Sequence, residues 1–333
     1  MRTLRISLSV FMASLLFSVS PPLSGDAPYA SEPETQTETE ENASAVMGTP
    51  GSVQESLYHE NEWNYVEDSM DVSAGIPDTV TGRLSLIRDK GVLTVVTEPY
   101  FAPQEFIDPD LSGQDQYAGA DMELARLIAQ RMGVGLEIVP LEFPEVLSSI
   151  SAGKYDLAIS GLSYTPGRAA SMEMSKGYHY SPEEASSGLI IRSSDAEEIA
   201  GPEDLAGRNL AAQSGSLQEL LVAQNLPDYL QFIRVSSVRD VYDAVSNGLA
   251  DAGGVDLETA KLYLRNNPDC GLVLMEGVAF GVEEQFQGDR VAGPKDDLEL
   301  MYFVNGVIDE AVSSGQYEEW LKKAAKRSSE LGL

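Results

Sequence analysis

The chain has 333 residues, 43% of them hydrophobic, which is enough for two cored lobes. Its formal net charge of −31, from 22 basic and 53 acidic residues, argues against nucleic acid, because phosphate binding needs clustered cations. One cysteine, Cys270, and two histidines far apart in sequence exclude an intrachain disulfide and leave little for a transition-metal site, so no metal and no cofactor are expected.

The N-terminus opens with Arg2 and Arg5, then an apolar run from Ile6 to Val19 stopped by Pro21 and Pro22. This pattern predicts a secretory signal peptide over 1–25, too short to span a bilayer. Residues 26–82 read as an acidic spacer: from Gly25 to Gly82 there are thirteen Asp or Glu and no Lys or Arg. The stretch SEPETQTETEENAS offers little to bury and predicts disorder. The more aromatic stretch 55–72, with Trp63 and Tyr65, is open to docking on the folded domain or on a partner.

From Arg83 the periodicity changes. LSLIRDKG predicts a short helix and VLTVVT (92–97) a buried strand. DMELARLIAQRMG predicts a helix with Asp121 as its cap and Gly133 as its stop. LEIVPL, PEVLSSISAG and YDLAIS then predict strand, helix and strand. This β-α-β-α-β order implies an open α/β sheet with parallel pairing. A second series follows: strands SGLIIR and NLAAQ, helix LQELLVAQN, strand LQFIRV, helix VRDVYDAVSNG, strand ADAGGV, helix LETAKLYLRNN and strand GLVLME. Two helices broken at Gly315 close the chain.

In open α/β sheets, ligands bind beyond the carboxyl ends of the strands. The first strand ends in Glu98 and Phe101, and the third in Ser160, Gly161, Ser163, Thr165 and Arg168. NLAAQ ends before Ser216 at a helix start, and ADAGGV before Asp256. Arg168 can fork onto a carboxylate, and Ser216 with the helix start can bind an anion. Asp256 can pair with an ammonium or simply cap its helix. Phe101 and Phe143 can wall an apolar moiety or belong to the core. Glu98 is either a specificity residue or a turn residue. Together these groups suit a free amino-acid zwitterion.

AGADMELARLIAQRMG, the segment from EIVPLEF to SYTPGRAASMEMSKGY, DLAGRNLAAQSGSLQE and VNGVIDEAVSSGQYEEWLKK resemble the polar-amino-acid solute-binding proteins of ABC importers. The resemblance covers about 83–328. It implies a type II periplasmic-binding-protein-like α/β fold of two lobes, each a mainly parallel open sheet flanked by helices, joined by two crossovers. Lobe one would be 83–188 plus 281–333, and lobe two 189–280. It implies that Arg168, Ser163 and Ser216 hold the α-carboxylate, Asp256 the α-ammonium, and that Phe101 stacks on the ligand. It further implies an exported monomer, in the periplasm or at the outer face of the cytoplasmic membrane, that closes on an amino acid and is read by an ABC permease without catalysis. Two other readings stand beside this: a dehydratase of cyclic amino-acid precursors, with Glu98 or Glu142 as acid–base group, and a ligand-sensing ectodomain. Met174 departs from the family's usual phenylalanine, and the crossover after it is longer than usual.

Overall fold

The structure is a computed structural model that describes residues 65–181, 186–226 and 228–333. The signal peptide and the acidic run at 31–44 lie outside the described residues. The first sheet uses β1 (Val92–Thr97), β5 (Gly135–Pro140), β6 (Leu157–Ser163), β7 (Met172–Met174) and β13 (Asp289–Pro294), in the order β5-β1-β6-β13-β7. The second uses β8 (Ser187–Arg192), β9 (Asn209–Gln213), β10 (Gln231–Val235), β11 (Ala252–Asp256) and β12 (Leu272–Phe280), in the order β10-β9-β11-β8-β12. Each sheet is the floor of one lobe. The chain leaves the first sheet after Met174 and returns to it at Asp289, so two crossovers join the lobes.

Apolar runs explain the central strands. Val92–Thr97 is rich in β-branched residues and buried at all but its first position, as a strand covered on both faces requires. It pairs in parallel with β5 from Val92↔Gly135 to Thr97↔Pro140, and with β6 at Val95↔Leu157. The sheets are mainly parallel in strand direction, as expected, with one reversed strand in each. In each, four strands point the same way and one runs against them: β13 in the first, between β6 and β7, and β8 in the second, between β11 and β12. The cause is the position of the crossovers. A strand entering from the other lobe starts where the parallel strands end: Asp289 lies opposite Ser163, and Ser187 opposite Asp256. It must therefore run away from that edge.

Helices flank both sheets: α1 (Gly82–Lys90), α2 (Ala120–Met132), α3 (Phe143–Ser151) and α4 (Pro166–Ser171) before the first crossover, and α5 (Leu217–Asn225), α6 (Val238–Ser246) and α7 (Leu257–Asn266) in the second lobe. The last two, α8 (Leu298–Ser313) and α9 (Gln316–Leu331), are separated at Gly315. Helix α2 stops at Gly133, which takes the left-handed conformation (φ 70°). Its start differs from expectation. Asp121 lies inside the helix and is not its cap. The first N–H groups instead donate to loop carbonyls, Ala120 to Pro103 at 3.2 Å and Asp121 to Gln104 at 2.9 Å. The Asp121 carboxylate is thereby free to accept from Gly161 N–H and from the hydroxyls of Tyr178 and Tyr317.

Residues 65–81, within the stretch that reads as spacer, pack on the first lobe. Val66, Val72 and Val80 join the core cluster around α2 and α8. The fully buried Asn305 donates to the Val66 and Asp68 carbonyls and accepts from the Lys176 N–H. Gly306 is required beneath this strap, because a Cβ there would sit 2.1 Å from the Met70 carbonyl oxygen. A small sheet absent from the sequence reading, β2 (Tyr100–Phe101), β3 (Glu105–Ile107) and β4 (Tyr117–Ala118), folds the chain after β1 back over the ends of the parallel strands.

Candidate functional site

A cleft of about 910 Å³, counted to its open mouth, lies where the strand ends of both lobes face each other. Nine of the ten sequence-predicted site residues line it: Glu98, Phe101, Phe143, Ser160, Gly161, Ser163, Arg168, Ser216 and Asp256. The tenth, Thr165, does not line the cleft. It caps α4, its Oγ1 accepting the Arg168 N–H at 3.1 Å. Thr165 thus holds the backbone of the arginine.

Arg168 is buried at 7% exposure. Nη1 donates to the Ser163 carbonyl at 2.7 Å, and Nη2 reaches across the cleft to the Gly215 carbonyl of the second lobe at 2.9 Å. Its guanidinium rests over the Phe143 ring at 5.4 Å. Burial lowers its pKa to about 10, against the opposing charge of Asp289, so it stays cationic. Among the described residues no carboxylate forms an ion pair with it. Nearby, α5 begins at Ser216, whose Oγ accepts the Glu219 N–H at 3.0 Å. The N–H groups of Leu217 and Gln218 precede the first intrahelical partners and border the same space. This end of the cleft attracts an anion.

Asp256 does both things that its position allowed. Oδ1 caps α7 by accepting from Glu258 N–H and Thr259 N–H, each at 3.0 Å. Oδ2 has no partner among the described residues, in a side chain that lines the cleft. Burial raises its pKa to about 6. Ser160 lines the cleft, but its hydroxyl is committed: it accepts the Glu98 N–H and donates to Glu105 Oε1, both at 3.0 Å. Gly161 adopts φ +52°, and a Cβ there would meet the Phe101 ring at 2.8 Å, so this glycine lets the aromatic ring close over β6.

The far wall is acidic. Glu98 is 1% exposed and Glu105 fully buried. Burial, reinforced by Glu142, pushes Glu98 up to about 8. Burial together with Asp121 and Glu98 holds Glu105 well above the usual carboxylate range. Glu98 Oε1, Gln104 Oε1 and Glu105 Oε2 are buried without a partner among the described residues. Glu98 thus lines the cleft while its carbonyl accepts the Tyr100 N–H at 2.9 Å in the turn after β1.

Sequence reasoning missed Gln104, Glu105, His179, Glu258 and Asp289. His179, on the first crossover, meets Glu258 of α7 at 3.3 Å. Its backbone pairs with Asp289 on the second crossover. Burial opposes its proton, but the Glu258 bond and the Asp289 charge outweigh burial and raise its pKa to about 9. Burial raises Asp289 to about 7. The polar pair Gln104–Glu105, set between Pro103 and Phe106, is the one signal in the sequence that points to a buried polar wall.

Two α/β lobes, two crossovers and a charged cleft between strand ends define a two-lobed receptor for a small, zwitterionic or cationic molecule. The chain belongs to the bacterial extracellular solute-binding proteins, family 3, whose model matches residues 93–326. It is similar to the Streptococcus pneumoniae amino acid ABC transporter substrate-binding protein AbpA bound to L-arginine: 33% identical, covering 73% of this chain and 98% of that one, with a TM-score of 0.65. It is 28% identical over 239 residues to a probable histidine-binding protein of Campylobacter jejuni, covering 69% of this chain and 84% of that protein. A cyclohexadienyl dehydratase of Pseudomonas aeruginosa is 24% identical over 188 residues, covering 56% of this chain and 67% of the enzyme. The fold is thus shared by binding proteins and by at least one enzyme. Among the described residues no helix is long and apolar enough to cross a membrane, and no group of acidic, histidine and cysteine side chains could hold a metal ion.

Proposed function

We propose that the protein binds a free basic L-amino acid between its lobes, outside the cytoplasmic membrane, and presents it to the permease of an ABC importer. The observation that carries this reading is the polarity of the cleft. One end offers Arg168, the Ser216 hydroxyl and the start of α5. The other offers buried carboxyl and amide oxygens that lack donors. The α-carboxylate is held by Arg168, Ser163 and Ser216, and the α-ammonium by the second oxygen of Asp256. The cationic side chain runs past Phe101 and Phe143 toward Glu98. Arg168 and Asp256 sit on different lobes, so one zwitterion satisfies both only when the lobes are together, and the ligand shifts the population toward closure. The names of the similar binding proteins, one arginine-bound and one a probable histidine binder, support the class of ligand.

The chain organisation proposed is a signal peptide at 1–25, a first lobe at 83–188 and 281–333, and a second lobe at 189–280. The exported protein acts as a monomer, in the periplasm or at the outer face of the cytoplasmic membrane, without catalysing a reaction. Isothermal titration with L-arginine, L-lysine, L-histidine, L-glutamine and L-glutamate tests this reading. The basic amino acids should bind, and Arg168→Ala should cost about 3–5 kcal/mol of affinity, the effect of unpairing a buried charge. Binding of L-glutamate in preference to the basic amino acids, or undiminished binding by the alanine variant, overturns it.

A further inference from the structure

We infer that Gln104 is a specificity-determining residue that reads a guanidinium in preference to an ammonium at the acidic wall of the cleft. This rests on the basic-ligand reading above and goes beyond it, from the class of ligand to the head group. Gln104 is 2% exposed, lines the cleft, and keeps its Oε1 buried without a partner. Such a group is costly to leave unmade and calls for an explanation. A leucine of similar volume would fill the position without that cost.

The backbone beneath it is fixed. The Gln104 N–H donates to the Phe101 carbonyl at 3.0 Å, and the Gln104 carbonyl accepts the Asp121 N–H of α2 at 2.9 Å. Gly119, at φ 122°, allows this contact, because a Cβ there would lie 2.1 Å from the Gln104 carbonyl oxygen. The backbone that carries the amide is therefore fixed while the amide oxygen itself is left without a partner, which limits the reordering that a ligand must drive.

Two other acceptors on the same wall lack donors, Glu98 Oε1 and Glu105 Oε2. The other Glu105 oxygen is already occupied by the Ser160 hydroxyl. The three open acceptors belong to three residues spread over the end of β1, the turn after β2 and the start of β3. An ammonium carries its three donors on one compact atom and cannot spread them over acceptors set apart on different residues. A guanidinium carries five N–H groups on a wide planar fork and can reach a third, separate acceptor. The amide of Gln104 supplies that acceptor without adding another charge to a wall already crowded with carboxyl groups.

The test is isothermal titration of the full-length wild type, Gln104→Leu and Gln104→Met with L-arginine and L-lysine, with thermal melts of each protein without ligand. The wild type should prefer L-arginine. Both variants should lose about tenfold to a hundredfold in L-arginine affinity, the worth of a hydrogen bond to a charged group. L-lysine affinity should change by less than about threefold on the same scale. The ligand-free melting temperature should hold or rise, because an unsatisfied polar group has been removed. Equal losses for both ligands, a lowered ligand-free melting temperature in both variants, or a wild type that prefers L-lysine overturns the inference while leaving basic-ligand binding intact. A wild type that binds neither overturns the basic-ligand reading itself.

Discussion

Glu98→Gln separates the charge of the acidic wall from its shape. In the free protein Glu98 is buried, its carboxyl carries a pKa of about 8, and it faces Glu142 without a cation of its own. At pH 7 ionising it costs about 1.4 kcal/mol, one pKa unit. A cationic side chain that pairs with Glu98 needs the ionised form, so the apparent affinity carries the ionised fraction as a factor. On account of this group L-arginine affinity should rise by about ninefold from pH 6 to 7 and about fivefold from pH 7 to 8. The Gln variant should lose that slope. Titration at pH 7 in two buffers of different ionisation enthalpy counts protons directly: wild type should release about 0.9 proton per ligand more than Glu98→Gln. Stability runs the other way in the free protein. A carboxyl whose folded pKa is raised keeps its proton in the folded state after the unfolded chain has lost it. Wild-type stability without ligand should therefore decline as pH rises from the ordinary carboxyl value of 4.5 to about 8, and the variant should decline less. Equal proton counts in the two proteins, or a wild-type affinity flat from pH 6 to 8, refute the pairing of Glu98 with a cation.

Three further outcomes follow from individual side chains. Asp256→Asn keeps the α7 cap, since Asn and Asp serve equally there, so the ligand-free melting temperature should hold while L-arginine affinity falls at least about tenfold in titration. Asn305→Leu strips partners from the Val66 and Asp68 carbonyls and the Lys176 N–H, and urea unfolding should show a loss of roughly 3 kcal/mol or more. Gly161→Ala forces a Cβ to within 2.8 Å of the Phe101 ring at φ +52°, and both L-arginine affinity and melting temperature should drop, by about 1–3 kcal/mol in the latter case from unfolding curves.

Local pattern revealed the elements whose environment is set by their own sequence. Val92–Thr97 is apolar throughout, and α2 carries the buried Leu124, Leu127, Ile128 and Met132 on one stripe ahead of Gly133. Asp289–Pro294 gave no such signal, because Asp, Arg, Gly and Pro hide a strand whose existence depends on pairing with β6 and β7. The same division holds in the cleft. Arg168, Ser216 and Asp256 stand at the ends of legible strands or the starts of legible helices. Gln104 and Glu105 reach the cleft only because a small sheet folds back over those ends, and His179 and Asp289 only because two distant crossovers pair. The family resemblance pointed to Arg168, Ser163, Ser216 and Asp256 and raised Glu98 as one of two readings, but left Gln104 and Glu105 unread. Asp121 shows the limit most clearly: its place near a helix start suggested a cap, but the loop carbonyls that displaced it come from a segment with no pattern of its own.

Hinge and binding site share residues in this fold. The crossovers pair at His179 and Asp289, and both side chains also line the cleft. His179 reaches Glu258 on the second lobe, just as Arg168 reaches the Gly215 carbonyl. The lobes therefore touch through two cations of the first lobe and its crossover, each meeting an acceptor of the second. Asp289 faces both cations electrostatically, opposing the lowered pKa of Arg168 and raising that of His179. Arg168 and His179 therefore serve the cleft and the contact between the lobes at once.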